Sequence, residues 1–119
     1  EDDLVEKITQ HNPSLICLSG FMIILSKDFV NKFKGKIINI HPSLLPKHKG
    51  LNTHEKAINS GDKYGGCTVH HVNDRMDDGE IIAQQKVIIT SDDTADTLKQ
   101  KVLELEHKLY PKVIRGLLS

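Results

Sequence analysis

Apolar residues in this chain recur in two periods, and the switches between them mark out its elements. From Asp3 to Gln10, Leu4, Val5 and Ile8 fall at helical spacing before "HNPS" breaks the pattern. Leu15 to Leu18 is a short apolar run closed by Ser19-Gly20, which predicts a parallel strand running into a loop. "FMIIL" continues that loop, and Ser26 to Phe33 predicts a short helix with Ser26 as its N-cap. Ile37 to Ile40 predicts a buried strand, because β-branched residues suit a pleated surface and Pro42 ends any ladder it enters. Helix, strand, helix, strand is the order that right-handed crossover units and a parallel sheet produce.

After a segment punctuated by two prolines, Thr53 is the expected N-cap of a helix "HEKAINS" that stops at Gly61. "GGCTVHHVND" and "EIIAQQKVIIT" are strand-like runs joined by "RMDDG", whose Asp-Gly signal favours an antiparallel hairpin, so the sheet is expected to be mixed. In the tail, Ser91 and Thr94 form a capping arrangement, and Leu98, Val102, Leu105 and Leu109 recur at helical spacing. Pro111 is expected to kink or interrupt that helix. The chain contains no internal repeat, low-complexity tract or linker, which leaves residues 1–119 as a single domain.

Composition narrows the partners. Among 119 residues, 16 Lys+Arg balance 16 Asp+Glu, so no basic excess points to nucleic acid or to an acidic membrane surface. No apolar run approaches the roughly 18 residues of a membrane span, and "EDDLVEK" lacks the basic start and apolar middle of a signal peptide. The expected location is therefore cytoplasmic. Cys17 and Cys67 both lie in apolar runs and are expected to be buried, reduced thiols. The chain opens without Met in a polar segment, as a fragment or a processed product would.

Seven histidines raise the question of a metal. His70 and His71 are neighbours in a strand and point to opposite faces, and neither His-x-x-x-His nor Cys-x-x-Cys spacing occurs, so no metal site is expected. No Gly-x-Ser-x-Gly elbow and no phosphate-cradling glycine loop is present. What remains is a polar set. Asn39 and His41 sit two apart, on one face of a strand at its carboxyl end, the edge at which open α/β sheets bind ligands. His70 lies on a neighbouring strand and Asp77 in the turn after it. The Asn39 amide and a protonated His41 could together receive the negative oxygen of a tetrahedral intermediate, and a carboxylate such as Asp77 would favour the charged imidazole. Spacing alone is equally served if Asn39 caps a strand, His41 is a loop residue and Asp77 a turn residue.

The stretches "NIHPSLLPKHKGLNTHEKAINSG", "GGCTVHHVNDRMDDGEIIAQ" and "LEHKLYPKVI" together resemble the phosphoribosylglycinamide formyltransferases, folate-dependent enzymes of purine biosynthesis, from about Leu15 to the end. "GLNTHEKA" resembles this branch rather than the methionyl-tRNA branch, which prefers Trp-Arg-Gly there. A formyltetrahydrofolate hydrolase shares the Asn, His and Asp but usually departs from "HPSLLP" and adds a regulatory domain.

The resemblance implies a Rossmann-type α/β fold with a mixed, mostly parallel sheet flanked by helices, of which this chain holds the C-terminal part. On this resemblance the N-terminal strand-loop-helix units, which hold the ribonucleotide phosphate in the family, are expected to be missing from this chain. It implies Asn39, His41 and Asp77 as catalytic residues, and Met22, Ile23, Ile24 and Leu25 with Asn39 as the folate-binding set. It places His70 and Glu106 at the glycinamide substrate. The implied co-substrate is 10-formyltetrahydrofolate, with small-molecule substrates and no metal. Ile23 stands where family members often carry Arg. A sheet lacking its N-terminal strands would leave an exposed edge open to self-association. A second reading is a truncated homologue that binds folate or self-associates and catalyses nothing.

Overall fold

The computed structural model describes residues 15–19, 35–73 and 78–118. The helices expected over 3–10 and 26–33, the loop over 21–25 and Asp77 lie outside the described residues. Within them, β1 (Ile16–Ser19), β2 (Ile37–His41), β3 (Tyr64–His71) and β4 (Ile81–Ile88) form one sheet in that order, with helices α1 (Thr53–Asn59) and α2 (Ala95–Leu118). β1 and β2 run parallel, while β2–β3 and β3–β4 pair antiparallel, so the expected mixed sheet and its hairpin are both present.

Register makes β2 a strand of two characters. Ile38 and Ile40 stand opposite His71 and Val69, and Asn39 and His41 stand opposite His70 and Thr68. Side chains alternate across a pleat, so each set shares a face. The apolar set, Ile38 and Ile40 with Cys67 and Val69, packs with Leu98 and Val102 of α2 and Ala57 of α1. Burying a side chain of Leu or Ile size contributes about 1.5–3 kcal/mol. That face therefore fastens the sheet to α2, and the polar face is left for the loop after β2.

The loop over 42–50 lies down on β3 because Gly66 makes room for it. A Cβ at Gly66 would collide with the main-chain carbonyl of Gln85 and stand 2.7 Å from Leu44 Cδ2. Farther along the hairpin the register slips between Val69, opposite Ala83, and His70, opposite Ile81. Such an irregularity sharpens the local twist beside the polar face.

Four expectations are corrected. Thr53 is the first residue of α1 and is buried, while Asn52 precedes it with φ 59° and no side-chain cap. A left-handed Asn supplies the turn that a capping hydroxyl would otherwise organise. At α2, Thr94 and Thr97 bond reciprocally, main-chain N to Oγ1 at 2.8 and 3.3 Å, whereas Ser91 stays exposed in the turn before it. Pro111 lies inside an unbroken α2. Leu105, Leu109, Tyr110, Val113 and Ile114 pack against the core on both sides of it, which carries the helix past the lost hydrogen bond. Cys17 is exposed on β1, and only Cys67 is the buried thiol that was expected.

Candidate active site

The polar face of β2 begins with a contact whose direction can be derived. His70 Nδ1 lies 2.9 Å from the carbonyl of His71, which can only accept, so Nδ1 carries the proton and Nε2 is the acceptor. Asn39 Nδ2, 3.4 Å from that Nε2, is the donor. The amide is thereby oriented. Its Oδ1 is buried and has no hydrogen-bond partner among the described residues, and the second N–H of Nδ2 remains as a donor.

His41 is fully buried one step along the same face. Its Nε2 lies 2.9 Å from the carbonyl of His48, so Nε2–H donates and the two ring nitrogens acquire different duties. Ser43 Oγ donates to the carbonyl of Lys47 at 2.6 Å, with the carbonyl of His48 at 3.3 Å. Thr68 Oγ1 donates to the Ser43 carbonyl at 2.7 Å and accepts from the Leu45 N–H at 3.1 Å and from Gln84 Nε2 at 3.0 Å. The loop thus hangs from β3 and β4 by buried polar groups. His54, on α1, is held below the ordinary imidazole value by burial, then by the positive fields of Lys99 and His41.

The structure brings Asn39, His41 and His70 together. Glu106 lines a hollow of about 240 Å³ with Ile40, Leu103, His107, Tyr110 and Pro111, and burial pushes its carboxyl above the usual range. Asp77 and the segment Met22 to Leu25 lie outside the described residues. Burial pushes the Cys67 thiol up to about 12, which leaves it protonated and no nucleophile. Among the described residues no group of His, Cys, Asp and Glu could hold a metal ion, and no helix is long and apolar enough to cross a membrane.

Sequence reasoning missed His48 and Asp62. The His48 ring nitrogen Nε2 meets Asp62 Oδ2 at 2.7 Å, and no periodicity or motif links positions so placed.

Residues 1–114 match the sequence model of the family described as formyl transferase. The chain belongs to the formyl transferase family. Among formyl transferases, the phosphoribosylglycinamide formyltransferase of Escherichia coli (strain K12) is 44% identical over 112 residues, which cover 94% of this chain and 53% of that protein. The trifunctional purine biosynthetic protein adenosine-3 of Chironomus tentans is 48% identical over 112 residues, 94% of this chain and 8% of its own length. The crystal structure of phosphoribosylglycinamide formyltransferase from Anaplasma phagocytophilum superposes with a TM-score of 0.91 at 45% identity, covering 95% of this chain and 55% of that one. The chain therefore spans about half the length of the formyltransferases it matches. Formyl transfer builds negative charge on a carbonyl oxygen, and buried N–H donors are the groups that oppose it.

Proposed function

We propose that the chain carries the catalytic and folate side of a phosphoribosylglycinamide formyltransferase, and that residues 1–119 are the C-terminal part of a single formyl transferase domain. Its substrates are small molecules, glycinamide ribonucleotide and 10-formyltetrahydrofolate, and it works in the cytoplasm without a metal. The observation that carries the reading is the buried pair on one face of β2: Asn39, oriented by His70, and His41, oriented by the His48 carbonyl. The buried Oδ1 of Asn39, with no partner among the described residues, fits a ligand that donates an N–H there.

The folate supplies a formyl group on a nitrogen that can leave. His41, protonated, donates from Nδ1 to the oxygen that gains charge as the glycinamide amine adds to the formyl carbon, and the second N–H of Asn39 donates to the same oxygen. Asn39 Oδ1 accepts from the attacking amine and fixes its approach. No enzyme nucleophile is required, in keeping with the protonated Cys67 thiol. Asp77 keeps His41 charged and helps the proton pass from amine to leaving nitrogen. Met22, Ile23, Ile24 and Leu25 line the folate, and Glu106 and His70 serve the ribonucleotide side, roles that rest on the family resemblance.

Formyl transfer from a 10-formylfolate donor to glycinamide ribonucleotide, read by the absorbance of the deformylated folate, tests this. The wild-type protein is expected to transfer formyl, and His41→Ala and Asn39→Ala each to lose about 10²–10³ in kcat. Formate release that needs no amine would assign a hydrolase instead, and folate binding without turnover would assign a non-catalytic homologue.

A further inference from the structure

We infer that His48 and Asp62 form a positioning pair that aims the main-chain carbonyl of His48 at His41 Nε2. This rests on the reading of His41 as the acid of formyl transfer. His48 adopts φ 56°, a left-handed backbone that a β-carbon disfavours, so the conformation persists only where something holds it. Its own side chain supplies the hold. His48 Nε2 lies 2.7 Å from Asp62 Oδ2, with the two side chains only 17% and 11% exposed.

Asp62 is itself fixed. Its N–H donates to the carbonyl of Ala57 at 3.1 Å, just past Gly61 with φ 68°, so the carboxylate stands on the last turn of α1. The hydrogen bond from His48, first among several causes, holds that carboxyl below the usual range. Lys47 Nζ, 3.5 Å from Asp62 Oδ1 and 65% exposed, adds little. One residue thus has its ring tied to α1 and its carbonyl tied to His41. Were the ring released, the backbone could relax toward the right-handed region and turn the carbonyl away from Nε2.

The carbonyl matters because it fixes the imidazole tautomer. In the neutral ring a group that only accepts keeps the proton on Nε2, so the second proton of the charged ring sits on Nδ1 and faces the reacting oxygen. Without it the neutral ring of His41 could hold its proton on either nitrogen, and the charged ring that donates from Nδ1 could turn within its pocket.

The test compares the wild-type protein with Asp62→Ala, Asp62→Asn and His48→Gly. Glycine tolerates the left-handed backbone, so His48→Gly removes the anchor while sparing the fold, and circular dichroism checks that each variant is folded. Nitrogen-15 spectra of the histidine rings read the His41 tautomer, and formyl-transfer kinetics are read beside them. The expected result, read at a pH high enough for the ring to be neutral, is a His41 ring with its proton on Nε2 in the wild type and mixed tautomers in Asp62→Ala and His48→Gly. In those two variants kcat falls about ten- to a hundredfold while KM for both substrates stays within about twofold. Asp62→Asn, whose amide oxygen still accepts from His48, regains most of the lost rate. An unchanged His41 tautomer in Asp62→Ala and His48→Gly would overturn the inference, as would equal losses in Asp62→Asn and Asp62→Ala. If the wild type transfers no formyl group, the proposed function fails, while the His41 ring signals still decide whether the pair positions it.

Discussion

Asn39 and His70 stand directly opposite each other on β2 and β3, and the amide of Asn39 reaches the ring of His70 with its nitrogen, not its oxygen. The polarity of that contact comes from the far side of the ring, where His70 Nδ1 gives its proton to the His71 carbonyl. An acid-base residue is not needed at position 70 for this purpose, only an acceptor at Nε2. Replacing His70 by Phe keeps the volume and removes the acceptor. Formyl transfer by His70→Phe is expected to fall about tenfold in kcat, the cost of one oriented hydrogen bond in the transition state. Stopped-flow or steady-state kinetics would check it, and an unchanged kcat would remove His70 from the positioning of Asn39.

The seat of the loop on β3 can be tested without touching a polar group. Gly66→Ala places a methyl against the Gln85 carbonyl and Leu44, so strand or loop must move. The expected loss of stability is about 1–3 kcal/mol by urea denaturation, with a fall in activity because the same loop carries the His48 carbonyl.

Tyr110 offers a third test. Its hydroxyl donates to the carbonyl of Leu18 at 2.6 Å, with that of Ile38 at 3.3 Å, and burial raises its phenol pKa. Tyr110→Phe leaves both carbonyls short of a donor and is expected to cost about 1–2 kcal/mol, seen as a lower denaturation midpoint at unchanged slope.

A fourth concerns acid. Asp93 accepts from Lys101 Nζ at 2.6 Å, from the Thr90 N–H at 2.8 Å and from Thr97 Oγ1 at 2.8 Å, which hold its carboxyl well below the ordinary 3.8. A carboxylate depressed on folding contributes stability that is fully present above its unfolded value and lost as pH falls toward the folded one. Asp93→Asn should therefore melt lower than wild type at neutral pH, with the gap narrowing below about pH 3. Thermal melts from neutral pH to about pH 2 read the convergence; Asp62, depressed in the same direction, is common to both proteins and leaves the difference intact.

The elements that could be read from the sequence are those whose cause is local. Three isoleucines, Ile37, Ile38 and Ile40, ahead of Pro42 announce β2, the alternation in "CTVHH" announces that His70 and His71 part company, and Asp-Gly announces the hairpin. Asn39, His41 and His70 were legible for the same reason, since one strand end and one paired strand suffice to gather them. Where tertiary contacts decide, sequence reasoning went astray. Packing on both sides of Pro111 carries α2 through a residue that by itself ends helices, and an Asn in a left-handed conformation displaced Thr53 from the cap. His48 and Asp62 were invisible for a further reason: their meeting requires the turn of the loop and the end of α1 to be already in place.

The Tyr110 bond to Leu18 joins residues 92 apart in the chain, whereas β3 and β4 are consecutive strands that pair with each other. Closing a long loop costs more entropy than closing a short one, so contacts of this kind form late in folding. The hairpin and β2 can pair before α2 reaches across to β1. The polar face that carries Asn39 and His41 would then be built first, and the bond from Tyr110 made last. Tyr110→Phe is accordingly expected to speed unfolding and leave the refolding rate nearly unchanged.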